Sequence, residues 1–401
     1  MNKNIEALYK IAQKETKRII GLMSGTSLDG LDIALCEISG SGVNTNVKLA
    51  QFETISYSEE IKTEIRKVFA KKNIDFQHLA LLNEWIGILH AEMVNDTLKK
   101  WNVTTSDIDL IASHGQTVLH APKFLHQQEK FPNATLQIGD GDHIAVKTGI
   151  ITLSDFRQKH VAAGGEGAPL AVYGDYFLFG KEGENRIMLN IGGIANFTYL
   201  PSAIKTEDTF VTDTGTGNTL IDLFVKKYFL DKSYDKDAEI AKKGTVNQVL
   251  LDNLKDNAFF KKGFPKTIGQ ELFNAEYVEL ALSKSNLSDI LAPDLLATLT
   301  RFTAETIAEA IQFTIQNTNY KTEDFKIYLS GGGANNPLLV QWLKELLPCS
   351  FFKSNDLGIN SDAKEAILFA VLANETIAGG DFKFNSVKIP SVTMGKVSFP
   401  D

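Results

Sequence analysis

Two apolar runs flank a single glycine-rich turn near the start of the chain, and that arrangement leaves few folds open. Arg18-Ile19-Ile20-Gly21-Leu22 enters the turn, and Leu31-Asp32-Ile33-Ala34-Leu35 leaves it. Between them lies Met23-Ser24-Gly25-Thr26-Ser27-Leu28-Asp29-Gly30. Short apolar runs bounded by Gly, Ser and Asp read as a strand, a tight turn and a returning strand. A turn of Gly, Ser and Thr presents N–H groups and hydroxyls with little bulk, a concavity that suits phosphate oxygens. Its acid, Asp29, can hold a hydrated Mg²⁺, which keeps several waters and takes one or two carboxylates. The turn is not a P-loop, because no Lys follows and a strand rather than a helix comes next. An ordinary hairpin collects the same residue types, so this turn alone does not decide its use.

The pattern recurs. Arg186–Asn190 and Ile194–Leu200 read as strands joined by Gly192-Gly193. A third strand, Phe210–Thr212, runs into Asp213. Ile327–Leu329 is a short apolar strand that ends in Ser330-Gly331-Gly332-Gly333, and Asn335-Asn336-Pro337 then opens a helix, with Pro suited to a first turn. In the first half, Arg18–Ser24, Leu31–Glu37, Lys48–Ser56, Leu110–Ser113 and Gly149–Leu153 read as strands. Leu82, Ile86, Leu89, Met93 and Trp101 repeat at helical spacing over about 76–101, and Leu295, Leu299, Phe302 and Ala310 do so over 295–313. Strands alternating with helices argue for an α/β class. Each half starts with a strand, a glycine-rich turn and a strand, so the chain reads as two duplicated lobes with a ligand cleft between them.

At 401 residues, the chain is long enough for two or three domains, and 43% hydrophobic with 22% charged residues is a globular composition. The expected division is a helical extension over 1–17, a first lobe over 18–165 and a second over 166–375, with 376–401 returning to the first. The net charge of −8 supplies no basic field for nucleic acid or an anionic membrane. Apolar runs are too short to span a bilayer. Cys36 and Cys349 lie far apart and form neither a disulfide framework nor a zinc pattern, which fits a reducing cytoplasm. The N-terminal stretch carries Ile5, Leu8, Ile11 and Ala12 on one helical face and lacks a signal peptide's continuous apolar region.

Several residues can carry chemistry. Asp213, in Thr212-Asp213-Thr214-Gly215-Thr216-Gly217-Asn218, is a candidate general base, or else a cap for the helix that begins near Asn218. The same letters resemble an aspartic-protease loop, but that chemistry needs two carboxylates and the chain has no second Asp-Thr-Gly or Asp-Ser-Gly. Ser113-His114-Gly115-Gln116-Thr117 and Asp155-Phe156-Arg157 each follow a strand. Arg157 can take a substrate carboxylate in bidentate geometry or form a structural ion pair, and His114 can serve a pocket or simply end a strand. Gly164-Gly165-Glu166-Gly167-Ala168-Pro169-Leu170 is a turn that ends where a helix starts, with N–H groups that can face an anion. Glu365 sits on an apolar helix, where a carboxylate needs a partner or a cleft unless it lies on a polar face.

Taken in order, these segments resemble the anhydro-N-acetylmuramic acid kinase family of peptidoglycan recycling. The matching pieces are Gly21–Gly30, Ser113–Thr117, Asp155–Arg157, Ala163–Leu170, Leu189–Gly193, Asp213 with Gly215, Gly217 and Asn218, Lys266–Asn274, Gly331–Asn336 and Glu365-Ala366. They span roughly residues 18 to 375. The resemblance implies the two-lobed actin/hexokinase/Hsp70-like fold, ribonuclease H-like in each lobe, with a central nucleotide cleft. It implies ATP and Mg²⁺, with ligands to the metal unspecified, an amino-sugar substrate and a homodimer. Transfer of a phosphoryl group to the sugar 6-oxygen would accompany hydrolytic opening of the 1,6-anhydro ring.

Carried over, Asp213 is the base that deprotonates the attacking water, with Glu365 at the sugar beside it. His114, Arg157 and Glu166 fall on the substrate side. Gly25, Thr26, Ser27, Leu28, Asp29, Gly30, Leu31 and Asp32 hold ATP phosphates together with Gly192 and Gly193. Gly331, Gly332 and Gly333 flank the adenosine. The chain departs from the family pattern at His160, where an Asp is usual, and at Glu166, where a Gln is usual. It also begins with an added helix. These departures keep open a sugar kinase of the same superfold with another substrate. A non-catalytic, Hsp70-like nucleotide-binding protein is the reading from a different class, and the presence of Asp213 argues against it.

Overall fold

In the computed structural model, β1 (Thr16–Ser24) and β2 (Gly30–Ser39) form the hairpin expected around the first glycine-rich turn. The structure describes residues 1–204, 208–268, 272–287, 289–359, 362–384 and 389–401. Two units result, one made of 1–180 with 362–401 and the other of 181–361.

The first unit is built on one sheet. β3 (Asn46–Ser56) pairs antiparallel with β2, while β4 (Leu110–Ala121) runs parallel to β1. β5 (Ala134–Ile138) pairs with the far half of β4, and β6 (Thr152–Ser154) runs parallel to its near half. The Lys364–Ala378 helix packs on β1, β2 and β4. The Phe76–Lys100 helix starts at Asp75, whose carboxylate accepts from the N–H groups of Gln77 and His78, and ends with Lys99 and Lys100. An N-terminal cap and C-terminal cations suit the helix dipole. Leu82, Ile86 and Val94 of this helix join Ile20, Leu22, Ile33 and Leu35 of the strands in one buried cluster.

The second unit repeats the plan. β7 (Asn185–Ile191), β8 (Ile194–Leu200) and β9 (Phe210–Thr216) form an antiparallel meander. β10 (Phe325–Ser330) and β11 (Ser350–Lys353) extend it in parallel from β7. The order β9-β8-β7-β10-β11 matches β3-β2-β1-β4-β6 in strand sequence and direction. This internal repeat is the duplicated α/β architecture expected from the sequence, which residue identity between the halves does not reveal. The Ala292–Gln316 helix opens with Pro at its first turn and buries its apolar stripe on the sheet. In the first unit, β12 (Lys396–Ser398) closes the sheet edge beside β6.

Several expected bounds differ. The N-terminal helix covers Lys3–Ala12, and Thr16 and Lys17 already belong to β1. β4 continues through Ser113–Thr117 instead of stopping before it. Gly149 closes a helix in the left-handed conformation, and only Thr152–Ser154 is strand. Residues 166–180 and 362–375 pack with the first unit, whereas the expected boundary assigned them to the second lobe. The reason is packing: the Ala171–Phe179 helix packs on the Lys364–Ala378 helix, which itself packs on the first sheet. Among the described residues, no helix is long and apolar enough to cross a membrane.

Candidate active site

In the second unit Asp213 stands within β9, not at its end. It pairs across the sheet with Asn196 of β8. Its Oδ2 accepts a hydrogen bond from the N–H of Ile268 at 2.7 Å. Burial pushes this carboxyl up to about 6, and the Ile268 N–H opposes the rise. Among the described residues no second carboxylate bears on it, so a shared-proton acid pair is absent. Nor does Asp213 cap a helix. Asn218 precedes the Thr219–Tyr228 helix, which has no side-chain cap, and the N–H of Thr219 donates to the Gly193 carbonyl at 3.2 Å. The N–H groups of Gly217 and Asn218 donate to Gly193 and Gly192 at 2.7 and 2.8 Å. A cavity of about 500 Å³ is lined by Asn190, Gly192, Gly193, Asn196, Thr216 and Ile268. A carboxyl poised near neutrality beside such a cavity is suited to general-base work.

The third glycine turn lies in the same unit. Gly331 adopts φ +79°, and a Cβ there would sit 2.6 Å from the Ile191 carbonyl oxygen. Only glycine fits both demands. Gly333 presses on the Ile191 side chain, while Gly332 is exposed. A cavity of about 570 Å³ opens here, lined by Asn218, Asp222, Lys226, Tyr234, Gly332 and Asn335. An aromatic ring with polar partners suits a flat heterocycle and its sugar. Of these residues, Asp222, Lys226 and Tyr234 were not singled out from the sequence. They lie far from the glycines along the chain and carry no local signature.

The first glycine turn belongs to the first unit. Gly25, Thr26, Ser27 and Asp29 are open to solvent in part or in full. Leu28 and Leu31 instead bury their side chains in the core, and Gly30 lies against the Ile55 carbonyl, where a Cβ would come within 2.2 Å. Leu28, Gly30 and Leu31 can therefore offer a ligand backbone only. The turn is held from below. Ser24 Oγ donates to Gln116 Oε1 at 2.6 Å, and Gln116 Nε2 donates to the Gly25 carbonyl at 3.0 Å. Tyr57 links Ser24 to the buried His90, at 2.8 and 2.7 Å. Ser27 Oγ donates to Asp29 Oδ1 at 2.7 Å, and Thr54 Oγ1 donates to Asp32 Oδ1 at 2.6 Å. Burial raises Asp32 above the ordinary Asp value, and the charges of Asp29 and Asp362 add to the rise.

Arg157, His114 and Glu365 also fall in the first unit. Arg157 Nε donates to His114 Nε2 at 2.9 Å, and Arg157 Nη1 donates to the Gly167 carbonyl at 2.6 Å. That leaves Nη2 and one N–H of Nη1 for a ligand. Burial pulls Arg157 down to about 10, and the Glu365 carboxylate pushes the other way. His114 is pushed down to about 3 by burial and the Arg157 charge, and its ring rests on Phe369 at 4.7 Å. Solvent reaches Glu365, yet the protein surrounding most of its carboxyl raises it above the usual Glu value. Arg157 opposes that rise, while Asp32 and Asp29 reinforce it. These four groups therefore share one field.

His160 and Glu166 part company. The N–H of Gly167 donates to His160 Nδ1 at 3.0 Å, and a Cβ on Gly165 would collide with the imidazole at 2.2 Å. Burial pushes His160 down to about 4, so the ring is a neutral prop beneath the loop. Asn133 holds the same loop by donating to the Gly165 carbonyl at 3.0 Å. Glu166, half-buried between the two held glycines, has no hydrogen-bond partner among the described residues. Gly269, Gln270 and Glu271 of the Lys266–Asn274 segment lie outside the described residues.

A model of the anhydro-N-acetylmuramic acid kinase family matches residues 17–393. An anhydro-N-acetylmuramic acid kinase of Pseudoalteromonas atlantica is 52% identical over the full length of both chains. One from Caldanaerobacter subterraneus is 42% identical over 98% of this chain and all of its own. One from Clostridioides difficile is 39% identical over 89% and 91%.

Proposed function

The chain belongs to the anhydro-N-acetylmuramic acid kinase family, and from that premise we propose how its own residues open and phosphorylate 1,6-anhydro-N-acetylmuramic acid. Asp213 takes a proton from water. The hydroxide oxygen adds to the anomeric carbon, and the bond from that carbon to the bridging 6-oxygen breaks. The freed 6-oxygen attacks the γ-phosphorus of ATP, ADP departs, and the product is N-acetylmuramic acid 6-phosphate. The observation that carries this reading is the Asp213 carboxyl, held by the Ile268 N–H beside a cavity that Ile268 lines and raised to about 6. A base in that range is ionised at neutral pH and still accepts a proton.

The remaining residues bind and orient. Gly25–Ser27 and Gly192-Gly193 present small turns to the phosphates, and the cavity at Gly332 and Tyr234 receives the adenosine. Arg157 offers its free N–H groups to the substrate carboxylate, and Glu365 accepts from a sugar hydroxyl. Glu166 faces the same side through the loop that His160 and Asn133 hold. Mg²⁺ bound with ATP neutralises phosphate charge, and Asp29 and Asp32 are the fitting donors. Among the described residues neither carboxylate has an ion pair, and their mutual repulsion leaves room for a cation's charge. His160 is neutral and packed under its loop, so it adds no charge to the sugar side.

Free Cys36 and Cys349 suit a reducing cytoplasm, and the family resemblance supports a homodimer. Light scattering on the purified protein tests the dimer.

One experiment tests the chemistry. Turnover in ¹⁸O water should place the label at the anomeric oxygen of the product, and Asp213→Asn should abolish turnover while ATP still binds. Product without label, or an Asn variant with near wild-type turnover, would remove Asp213 from the role of base.

A further inference from the structure

Lys266 is a buried lysine that no step above uses. It is 7% exposed, in the segment that follows Phe264-Pro265. Its ammonium lies 4.5 Å from the Phe259 ring centroid, 4.3 Å from that of Phe264 and 5.7 Å from that of Phe260. It also donates to the Phe259 carbonyl at 3.2 Å. A desolvated ammonium among aromatic faces is held by their quadrupoles, an attraction that strengthens away from water. The cage is itself fastened to the Ala292–Gln316 helix, with Phe260 on Phe302 at 5.6 Å and Phe264 on Phe313 at 5.0 Å between ring centroids.

The backbone of the same residue is stitched to β9. Asp213 N–H donates to the Lys266 carbonyl at 2.9 Å, and Lys266 N–H donates to Thr212 Oγ1 at 3.0 Å. Two residues on, Ile268 N–H meets Asp213 Oδ2 at 2.7 Å. The side chain of Lys266 thus fixes one end of a three-residue strip whose other end orients the candidate base. The charged groups that bear on the ammonium are Glu309, from the Ala292–Gln316 helix, and Lys262, from the approaching loop. Among the described residues no charged side chain bears on Asp213, so a change at Lys266 reaches that carboxyl through geometry.

We propose that Lys266 is a positioning residue for Asp213, its caged ammonium clamping residues 266–268 along β9 so that the Ile268 N–H holds the carboxylate. The proposal rests on the reading of Asp213 as the base. Without the clamp the carboxylate loses its donor and its aim, while the adenosine cavity at Gly332 and Tyr234 keeps its lining.

The test compares Lys266→Met, which fills the cage without charge, with Lys266→Arg, which restores a cation. Amide hydrogen exchange across 264–268 reads the clamp independently of turnover. Expected in Lys266→Met are faster exchange at Ile268, kcat lowered by about tenfold or more, and an unchanged KM for ATP. The acid limb of the rate profile should also move to higher pH, because a carboxylate that loses an N–H donor becomes more basic. Lys266→Arg should recover exchange protection, and kcat and the acid limb should recover in part. Unchanged exchange in Lys266→Met overturns the clamp, and faster exchange with an unmoved acid limb overturns the positioning role. If Asp213→Asn keeps its turnover while Lys266→Met loosens Ile268, the fault lies with the base assignment and not with the clamp.

Discussion

Arg157 donates through Nε to Nε2 of His114 at 2.9 Å, so this imidazole must present a lone pair to a guanidinium. The arrangement is stable only with His114 neutral, which matches its displacement to about 3. It also fixes the tautomer, since the remaining proton must sit on Nδ1. The guanidinium is thereby aimed by two acceptors, His114 and the Gly167 carbonyl. Replacing His114 by Phe keeps an aromatic ring against Phe369 but removes one acceptor. The KM for the sugar should rise about tenfold, with the KM for ATP unchanged. Steady-state kinetics with each substrate varied in turn checks this, and equal losses for both substrates would count against it.

Acid should weaken the fold. His90, His114 and His160 are held at about 4, 3 and 4 by burial, below the ordinary value of 6.5. Between roughly pH 4 and 6.5 the unfolded chain binds protons that these folded histidines refuse, so their contribution to stability is lost as pH falls. Asp213 works in the opposite sense. Its folded value of about 6 lies above the ordinary 3.8, so its contribution is present at low pH and lost as pH rises through 6. Asp32, Asp222, Glu365 and Glu375, raised by burial, act with Asp213, and His120, lowered by burial, acts with the three histidines. The large shifts in this range are three histidines against one carboxyl, and urea midpoints should fall from pH 7 to pH 5. Each histidine accounts for about 1.4 kcal/mol per pH unit at most. His114→Phe should flatten the slope, and midpoints that stay level across this range would contradict the account.

Gly21 marks where β1 and the Lys364–Ala378 helix touch. A Cβ at Gly21 would lie 1.9 Å from the Ala366 carbonyl oxygen, and both partners are backbone. No rotamer change relieves such a clash. Gly21→Ala should destabilise the protein by about 3 kcal/mol or more, toward the severe end for overpacking. Because Glu365 adjoins Ala366, the KM for the sugar should rise as well. Thermal unfolding and kinetics on the same preparation check both, and a variant with wild-type midpoint and KM would mean that the helix can retreat freely.

Much of the site is legible from residue type and local spacing. The three glycine turns needed only the rule that small residues end strands where backbone must be approached. Gly331, with its φ of +79°, shows that rule in its strict form. Asp213 could be named as a base or a cap, but its strand position could not, because β9 continues to Thr216 through pairing with β8. Local letters such as Thr214-Gly215 argued for a turn there, and the ladder to β8 overrode them. His160 departs from the family pattern, yet it is an uncharged prop, since burial decides its protonation.

The sequence alone determined the element types, the repeated strand-turn-strand plan and the residues able to do acid–base or phosphate chemistry. These follow from backbone sterics and side-chain functional groups, which act within a few residues. Tertiary structure decided which unit each helix joins, as with the Lys364–Ala378 helix returning to the first sheet. It decided that Lys266 reaches three aromatic rings, and that Asp213 lies near 6 while His114 lies near 3. Those properties depend on desolvation and on partners brought together from distant parts of the chain. No local pattern encodes them, because the same residue in water would keep its ordinary charge.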